Sequence, residues 1–250
     1  LGATSTAEFV GAPLQRVLES VGLADDAVEL VFTGADRGER AGWGEIAFQR
    51  SLPVAELASF AAEGPLLAWQ MNGEPLPGAH GGPVRLVVPG WYAVASVKWL
   101  IGLEAVRTPF EGHFQSDRYL YHEADGTTTP VTHMKVRALI LDPDPEVTGA
   151  DGRVQIAAGT RRIEGIAWSG AGAITGVAVS MDGGATWGEA TLEPAAPEGA
   201  PRRWSFDWAA IPGTTELVAR ARDASGAEQP LDPWWNSLGY GNNSVHRVQV

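Results

Sequence analysis

The 250-residue sequence contains no cysteine, and this absence is the first limit on its chemistry. Without a thiol, the chain itself forms no disulfide, supplies no thiolate to a metal and has no cysteine nucleophile. Positive charge is also scarce, since 18 Lys and Arg residues face 30 Asp and Glu residues, for a formal net charge of -12. This balance disfavours a general surface for nucleic acid or an anionic membrane, but a local basic pocket remains compatible with it.

Long apolar runs are missing too. None reaches the length of a transmembrane helix, and the N-terminus does not resemble a signal peptide. The hydrophobic content of 44% and charged content of 19% are typical of a soluble globular protein. We therefore expect no membrane association, and a location in the cytoplasm or the periplasm, because a cysteine-free chain suits both. The histidines show no paired zinc-binding spacing, so no metal ligand is predicted within the chain.

The N-terminal part mixes helix and strand patterns. The segment APLQRVLESVGL has apolar residues at helical spacing between Pro13 and Gly22, which predicts a helix. The segment RSLPVAELASFAAEG predicts a second helix, with Ser51 as its N-cap and Pro53 in its first turn. The segment PLLAWQMNGEPLP predicts a strand followed by a turn at residues 72–73.

The C-terminal part, from about Met134, consists of short apolar stretches separated by Gly and Pro. Seven of them predict strands: RVQIAAG, IEGIAWSG, ITGVAVS, ATWGEATLE, RWSFDWAA, TELVARARD and VHRVQV. Seven short strands in this length predict an immunoglobulin-like sandwich. The polar stretch ADGTTTPVTHMK separates the two patterns, so we place the domains at residues 1–130 and 131–250.

Three side chains that can carry positive charge crowd the segment AHGGPVRLVVPGWYAVASVKW. His80 precedes an apolar strand pattern, Arg85 lies within it, and Lys98 follows a loop that contains Ser96. They could present hydrogen-bond donors to an anionic ligand such as a phosphate. They could equally be solvated charges on an edge strand, and composition alone does not decide between the two. Asp36, in TGADRGER, follows a strand pattern, where an ordinary polar turn is favoured.

The segment SMDGGATW, at residues 180–187, fits the Asp-box pattern of sialidase-like propellers. Such propellers repeat the motif from blade to blade, whereas this sequence contains it once. We therefore favour a hairpin in which Asp182 bonds the turn backbone and two glycines adopt positive φ. A glycosidase would need further copies of the motif.

The segment from Leu66 to Leu100 resembles the molybdopterin-binding domain of the sulfite oxidase family. It follows the family pattern L-L-A-x-x-M-N-G-x-P-L-P, H-G-x-P-V-R-x-V-V-P-G and V-K-W-L almost without a break. STAEFVGAPLQRVL resembles the family too, and WSG, VSMDGGATW, RWSFDW and WWNSLGYGNNSVHRVQV resemble its dimerisation domain. The resemblance implies an α+β sulfite-oxidase-type cofactor domain, represented by its C-terminal portion, followed by an all-β immunoglobulin-like sandwich.

The resemblance also implies a site. The family's contacts to a molybdenum-molybdopterin cofactor fall on a set of cofactor-binding residues, which are Asp36, His80, Arg85, Ser96, Val97 and Lys98. The cationic members suit the cofactor's phosphate, and the carboxylate of Asp36 suits pterin N–H groups. The family's catalytic tyrosine falls on Tyr119, with Tyr121 as the neighbouring alternative. The implied activity is oxygen-atom transfer to sulfite or a related small oxyanion, in a homodimer served by a separate electron acceptor.

Two departures from the family pattern affect these expectations. The family holds molybdenum through a cysteine that precedes STAEF, so we expect this chain to be a fragment without the metal-ligating residue. Leu238 stands where animal sulfite oxidases have an arginine near the substrate, which puts sulfite itself in question. The alternative to an enzyme is a non-catalytic, immunoglobulin-like interaction module, because such sandwiches often bind proteins or sugars.

Overall fold

The computed structural model describes residues 4–60, 64–123, 125–195, 197 and 199–250. The chain divides into two compact units, residues 1–132 and 133–250. Most of the regular structure is β: within the described residues there are seventeen strands and one α-helix. The first unit was expected to be an α+β domain, but its observed helical content is small. None of the described helices is long and apolar enough to span a membrane.

Within its described residues, the first unit contains the α-helix and nine strands, which form three sheets. The helix α1 is Leu14–Val21. The strands are Phe9–Pro13 (β1), Glu29–Arg40 (β2), Gly44–Pro53 (β3), Leu66–Met71 (β4), Glu74–Pro75 (β5), Arg85–Val87 (β6), Leu100–Val106 (β7), Leu120–His122 (β8) and Thr128–Pro130 (β9). Strand β4 lies between β1 and β5 and also pairs with β6, β2 lies between β3 and β7, and β8 pairs with β9. All these pairs are antiparallel.

Of the two helices predicted in this unit, the structure contains the first. Helix α1 starts directly after Pro13, which has a fixed φ suited to a helix start, and ends at Gly22 with a φ of 79°. The second prediction is wrong, because Ser51 is buried within β3 and not a helix cap. Pairing with β2 continues to Pro53, and a 3₁₀ helix, Val54–Ser59, follows, while residues 61–63 of the predicted helix lie outside the described residues. Tertiary pairing overrides the helical propensity here.

An irregularity in β2 interrupts its pairing with β3. Thr33 pairs with Gln49 and Arg37 pairs with Ala47, so residues 34–36 stand opposite a single residue of β3. Such a bulge releases backbone groups from the ladder and redirects side chains. Around it the core of the unit is made of fully or largely buried apolar side chains: Leu14, Leu30, Phe32, Leu52, Leu86, Val88, Trp91, Ala95 and Val97.

The second unit consists of two four-stranded antiparallel sheets with a common core. The strands are Arg137–Asp142 (β10), Gly159–Trp168 (β11), Ile174–Ser180 (β12), Gly188–Glu189 (β13), Thr191–Leu192 (β14), Arg202–Ala210 (β15), Glu216–Asp223 (β16) and His246–Gln249 (β17). One sheet has the order β10-β11-β15-β14 and the other β13-β12-β16-β17. Side chains of both sheets, such as Ile163 and Leu217, meet in one buried cluster.

Six of the seven predicted segments contain strands of this unit. The exception is RVQIAAG, whose residues 154–157 have no regular structure, and the strand β10 was missed. Strand β16 alternates only in its second half, since Ala219 and Ala221 are fully buried while Arg220 and Arg222 are partly exposed. In its first half Leu217 and Val218 are both fully buried. Strands with one clear apolar face are the ones that the pattern finds.

Candidate functional site

Three chain segments of the first unit come together at the β2 bulge, and we call residues 34–36, 78–85 and 96–99 the cradle. Ala35 N donates a 2.8 Å hydrogen bond to Trp99 O, which joins the bulge to the third segment. Gly34 is packed so closely that a Cβ there would lie 2.5 Å from Asp36 Oδ1 and 2.9 Å from Lys98 O. Glycine at this position therefore allows Asp36 and Lys98 to approach each other's segments.

The second and third segments of the cradle are tied together by the Lys98-Trp99 pair. Lys98 Nζ donates to Ala79 O at 3.1 Å, and Trp99 Nε1 donates to Gly78 O at 2.8 Å. Trp99 N donates to Gly81 O at 3.0 Å. Gly81 has a φ of 100°, and a Cβ on it would lie 2.6 Å from Lys98 Cβ. Both the backbone angle and the contact thus require glycine at this turn.

Arg85 connects the same two segments from the strand β6. Its Nη1 donates to His80 O at 2.9 Å and its Nη2 donates to Ser96 O at 3.1 Å. Its guanidinium lies 5.6 Å from the ring centroid of Phe9. Burial lowers the pKa of Arg85 below the usual arginine value. No carboxylate of the described residues forms an ion pair with Arg85, so its charge is available to an anionic ligand.

The exposures of the predicted cofactor-binding residues divide them by role. Asp36 and His80 are exposed, while Arg85, Ser96 and Lys98 are half-buried. Ser96 Oγ accepts a 3.0 Å hydrogen bond from Val88 N, which holds the loop against the strand pair. The side chain of Val97 is fully buried in the core, and its backbone N–H and C=O form hydrogen bonds with nearby backbone groups of the same unit. All six residues lie in or beside the cradle, but Val97 contributes packing.

Tyr119 is carried by a different segment of the same unit, between a π-helical turn at His113–Asp117 and β8. Its φ of 57° is uncommon for a residue other than glycine, and such backbone strain is concentrated at functional sites. Val131 N donates a 2.7 Å hydrogen bond to Tyr119 O. The alternative, Tyr121, is buried, and this burial, together with the nearby Tyr92, raises its pKa above the usual 10. The half-buried Tyr119 is the more accessible of the two.

Two residues with the character of site residues escaped the sequence analysis. Trp99 has a φ of 48°, and Lys98 Nζ lies 4.3 Å from its ring centroid. The signal was present, because Trp99 is part of the V-K-W-L motif. Arg50 is 1% exposed within β3. Its segment was predicted to be a helix, so the sequence analysis did not identify Arg50 as a buried cation within a strand.

The sequence matches two family models, one for each part of the chain. Residues 1–114 match the oxidoreductase molybdopterin binding domain, and residues 128–250 match the Mo-co oxidoreductase dimerisation domain. The cradle lies within the first match. The chain therefore carries the two kinds of domain that define a class of molybdopterin oxidoreductases.

Relatives along the whole chain narrow this class. Over 99% of the chain, the sequence is 30% identical to a sulfite oxidase of Arabidopsis thaliana and covers 68% of it. It is 35% identical to the mitochondrial sulfite oxidase of Mus musculus, of which it covers 47%. The chain belongs to the sulfite oxidase family. It spans about half the length of the mammalian relatives that it matches.

A solved structure agrees with this assignment. The crystal structure of the sulfane dehydrogenase SoxCD from Paracoccus pantotrophus superposes with a TM-score of 0.82 at 31% sequence identity. The match covers 98% of this chain and 60% of that chain. The fold of both units is therefore that of a family member.

Proposed function

We propose that the protein uses a molybdenum-molybdopterin cofactor to transfer an oxygen atom to sulfite or a related small sulfur compound. The observation that carries the proposal is the cradle, in which Arg85 and Lys98 join two loops at the β2 bulge. The chemistry of this donor set fits the organic part of the cofactor. In a chain of net charge -12, these two cations form no ion pair with a carboxylate of the described residues, which favours an anionic ligand.

The phosphate of the cofactor would be held by the cationic side of the cradle. Lys98 would reach it as a flexible point charge, because its ammonium keeps further N–H donors beyond the bond to Ala79 O. Arg85 already donates through Nε, Nη1 and Nη2 to main-chain carbonyls and so would contribute its charge from a fixed position. His80 is exposed at the mouth of the same loop and offers a ring N–H.

The polar edge of the pterin would meet Asp36 and the Ser96 loop. Asp36 is exposed on the bulge and is an acceptor for N–H groups. Ser96 Oγ accepts a hydrogen bond from Val88 N, which fixes the position of the loop. Val97 anchors the same loop in the core. The metal would need a ligand that these 250 residues do not offer as a thiolate, since they contain no cysteine. The described residues also hold no cluster of three or more His, Asp or Glu side chains suited to a metal.

When bound, the cofactor supplies two-electron oxygen-atom transfer chemistry, which no side chain provides. The contribution of this chain is to position the reactants. Tyr119 would donate a hydrogen bond from its hydroxyl to an oxygen of the substrate, which holds the substrate and stabilises charge that develops there. Tyr119 has a positive φ of 57°, and we infer that this backbone conformation sets the position from which the hydroxyl would donate.

We infer a sulfur-containing substrate. Sulfite is supported by the sulfite oxidases of animals and plants that match the full chain. Leu238, 37% exposed, replaces the arginine that the family resemblance implies near the substrate, which weakens the case for a small dianion. The related SoxCD structure is of a sulfane dehydrogenase, so a sulfane-sulfur compound is the second candidate.

The remaining parts of the proposal concern partners. We infer a homodimer formed through residues 133–250, supported by their match to a dimerisation domain, and an immunoglobulin-like sandwich for that unit. A separate electron acceptor would reoxidise the enzyme. The non-catalytic module has less support, because residues 1–114 match a cofactor-binding domain.

The test uses the full-length protein, expressed in a host that makes the cofactor, with sulfite or thiosulfate as substrate and ferricyanide as electron acceptor. We expect sulfur-dependent reduction of ferricyanide. Tyr119→Phe should lower kcat roughly 100-fold, as loss of a single donor at a reacting oxygen does. Ser20→Ala, which removes an exposed hydroxyl of α1 that bonds Val17 O, is the control and should leave kcat unchanged. Molybdenum-loaded protein that turns over neither substrate would contradict the proposal.

A further inference from the structure

Arg50 is a buried cation that the proposed function does not use. It lies in the middle of β3, opposite Phe32 of β2, and is 1% exposed. Burial lowers its pKa well below the usual arginine value, to about 10, and a smaller opposing influence comes from Tyr119. The described residues offer Arg50 no carboxylate as an ion-pair partner. A buried charge without an ion pair is costly, so an apolar residue would serve packing better.

The hydrogen bonds of Arg50 go to the two main-chain segments that flank Tyr119. Its Nη1 donates to Phe114 O, in the π-helical turn before Tyr119. Its Nη2 donates to Val131 O at 3.1 Å, and Val131 N in turn donates to Tyr119 O at 2.7 Å. One side chain thus joins the segment that enters the Tyr119 turn to the segment that pairs with Tyr119 itself.

Side chains of the β3 region also contact the π-helical turn. The ring of Phe114 lies 4.6 Å from that of Phe48, which is two residues before Arg50 on the same strand. The ring of His113 lies 5.6 Å from that of Trp43, at the start of the same hairpin arm. His113 Nδ1 lies 2.9 Å from Asp117 Oδ2 within the turn. Aromatic packing holds the outer face of the turn, and Arg50 bonds its backbone.

We propose that Arg50 is a positioning residue for Tyr119. Its guanidinium fixes the distance between the segments on either side of Tyr119, and this keeps the tyrosine in its left-handed conformation. Arg50 Nε has no hydrogen-bond partner among the described residues, so one N–H donor of the guanidinium is not used by the fold there. This role rests on the proposed function of Tyr119 as the donor to the substrate oxygen.

The test is a double-mutant cycle on the cofactor-loaded, full-length protein. Arg50→Met and Arg50→Lys are made in the wild-type and in the Tyr119→Phe backgrounds. We expect Arg50→Met to lower kcat about tenfold or more, because a small misplacement of a reacting group is costly. In the Tyr119→Phe background the same change should have little further effect, since the two residues then act through one group.

A second readout does not depend on turnover. The ¹³Cα and ¹³Cβ chemical shifts of Tyr119, assigned through their loss in Tyr119→Phe, report its backbone conformation. We expect them to move towards extended values in Arg50→Met and less in Arg50→Lys. Arg107→Met is the matched control, because Arg107 is an exposed arginine of the same unit, paired with Asp26 at 2.6 Å. It should change neither the shifts nor kcat.

The outcomes separate the inference from the function on which it rests. Equal losses of kcat from Arg50→Met in both backgrounds, with unchanged Tyr119 shifts, would overturn the positioning role. Moved Tyr119 shifts together with full activity of Tyr119→Phe would support the positioning role and contradict the catalytic role of Tyr119. If Arg50→Met does not fold, the cycle with Arg50→Lys, which keeps the charge but not the forked geometry, gives the same comparison.

Discussion

Arg85 Nη1 donates a 2.9 Å hydrogen bond to the main-chain oxygen of His80. The same guanidinium donates to Ser96 O, so one side chain of β6 sets the separation of the two loops of the cradle. Its positive charge is held in place by these two bonds, and no carboxylate in the described part of the chain forms an ion pair with it. A cation fixed in this way is preorganised for an anionic cofactor, because no further ordering of the side chain is needed on binding.

Replacing Arg85 should therefore weaken cofactor binding more than folding. We expect Arg85→Met to reduce the bound molybdopterin about tenfold or more, which is the effect of losing one charged hydrogen bond. The measurement is pterin released on denaturation per mole of protein. Arg161→Met is the control, because Arg161 also donates to a main-chain carbonyl, Ala157 O at 2.7 Å, but lies in the second unit. Unchanged pterin in Arg85→Met would contradict this role.

The glycine of the β2 bulge gives a prediction about stability. A Cβ at residue 34 would lie 2.5 Å from Asp36 Oδ1 and 2.9 Å from the backbone oxygen of Lys98, so something must shift. Gly34→Ala should lower the free energy of unfolding by about 1–3 kcal/mol, a typical cost of overpacking. Gly78→Ala, whose Cβ would meet nothing within 4 Å, should stay within about 0.5 kcal/mol of wild type in the same urea titration. Equal effects of the two variants would contradict the packing account.

His246 predicts a pH dependence of stability in the second unit. Its Nδ1 accepts a 3.0 Å hydrogen bond from Ile140 N, and burial, followed by the nearby Arg137, lowers its pKa from 6.5 to about 4. The unfolded chain therefore binds more protons than the folded one between these two values. Stability contributed by neutral His246 is present above about pH 6.5, falls as the pH drops towards 4, and levels off below it.

The expected loss over this window is about 1–2 kcal/mol, discounted for the partial exposure of the ring. His246→Asn keeps an acceptor for Ile140 N and removes the titration. Urea titrations across the window should show a steeper loss in wild type than in His246→Asn. The carboxylates titrate in both proteins, so identical pH profiles would show that His246 is not the responsible group.

Asp182 is predicted to matter for the stability of a hairpin and not for a reaction. Its Oδ1 accepts from Ser180 Oγ and from the backbone N of Ala185 and Thr186, while its Oδ2 accepts from Thr186 Oγ1 at 2.6 Å. The bonds from Thr186, followed by the one from Ser180, lower the pKa of Asp182 to about 2. Asp182→Ala should lower Tm and leave the bound molybdopterin unchanged. A loss of pterin without a change in Tm would argue for a different role.

The cradle could be predicted from the sequence because its cations stand in one continuous motif. His80, Arg85 and Lys98 lie within nineteen residues, and the motif carries the glycines that its turns require. What the motif did not contain is the way Arg85 is used. Its bonds to His80 O and Ser96 O depend on the pairing of β6 with β4, which is a tertiary contact with no local pattern.

The failures of the sequence analysis have a shared physical cause. Residues 50–52 are fully buried in β3, yet their local pattern with a following Pro53 is that of a helix start. Strand β10, Arg137–Asp142, is buried over three consecutive residues, so it lacks the alternation that marks a half-buried strand. Burial on both faces removes the period by which a strand is recognised. The role inferred for Arg50 was hidden by the same effect.

The central claim is that the protein binds the molybdenum-molybdopterin cofactor. The most direct measurement is the molybdenum and pterin content of the full-length protein, purified from a host that makes the cofactor, for wild type and for Arg85→Met with Lys98→Met combined. We predict molybdenum and pterin in near-equal amounts in wild type and a large loss of both in the double variant. Wild-type protein without molybdenum, or a double variant that retains all of its pterin, would contradict the account.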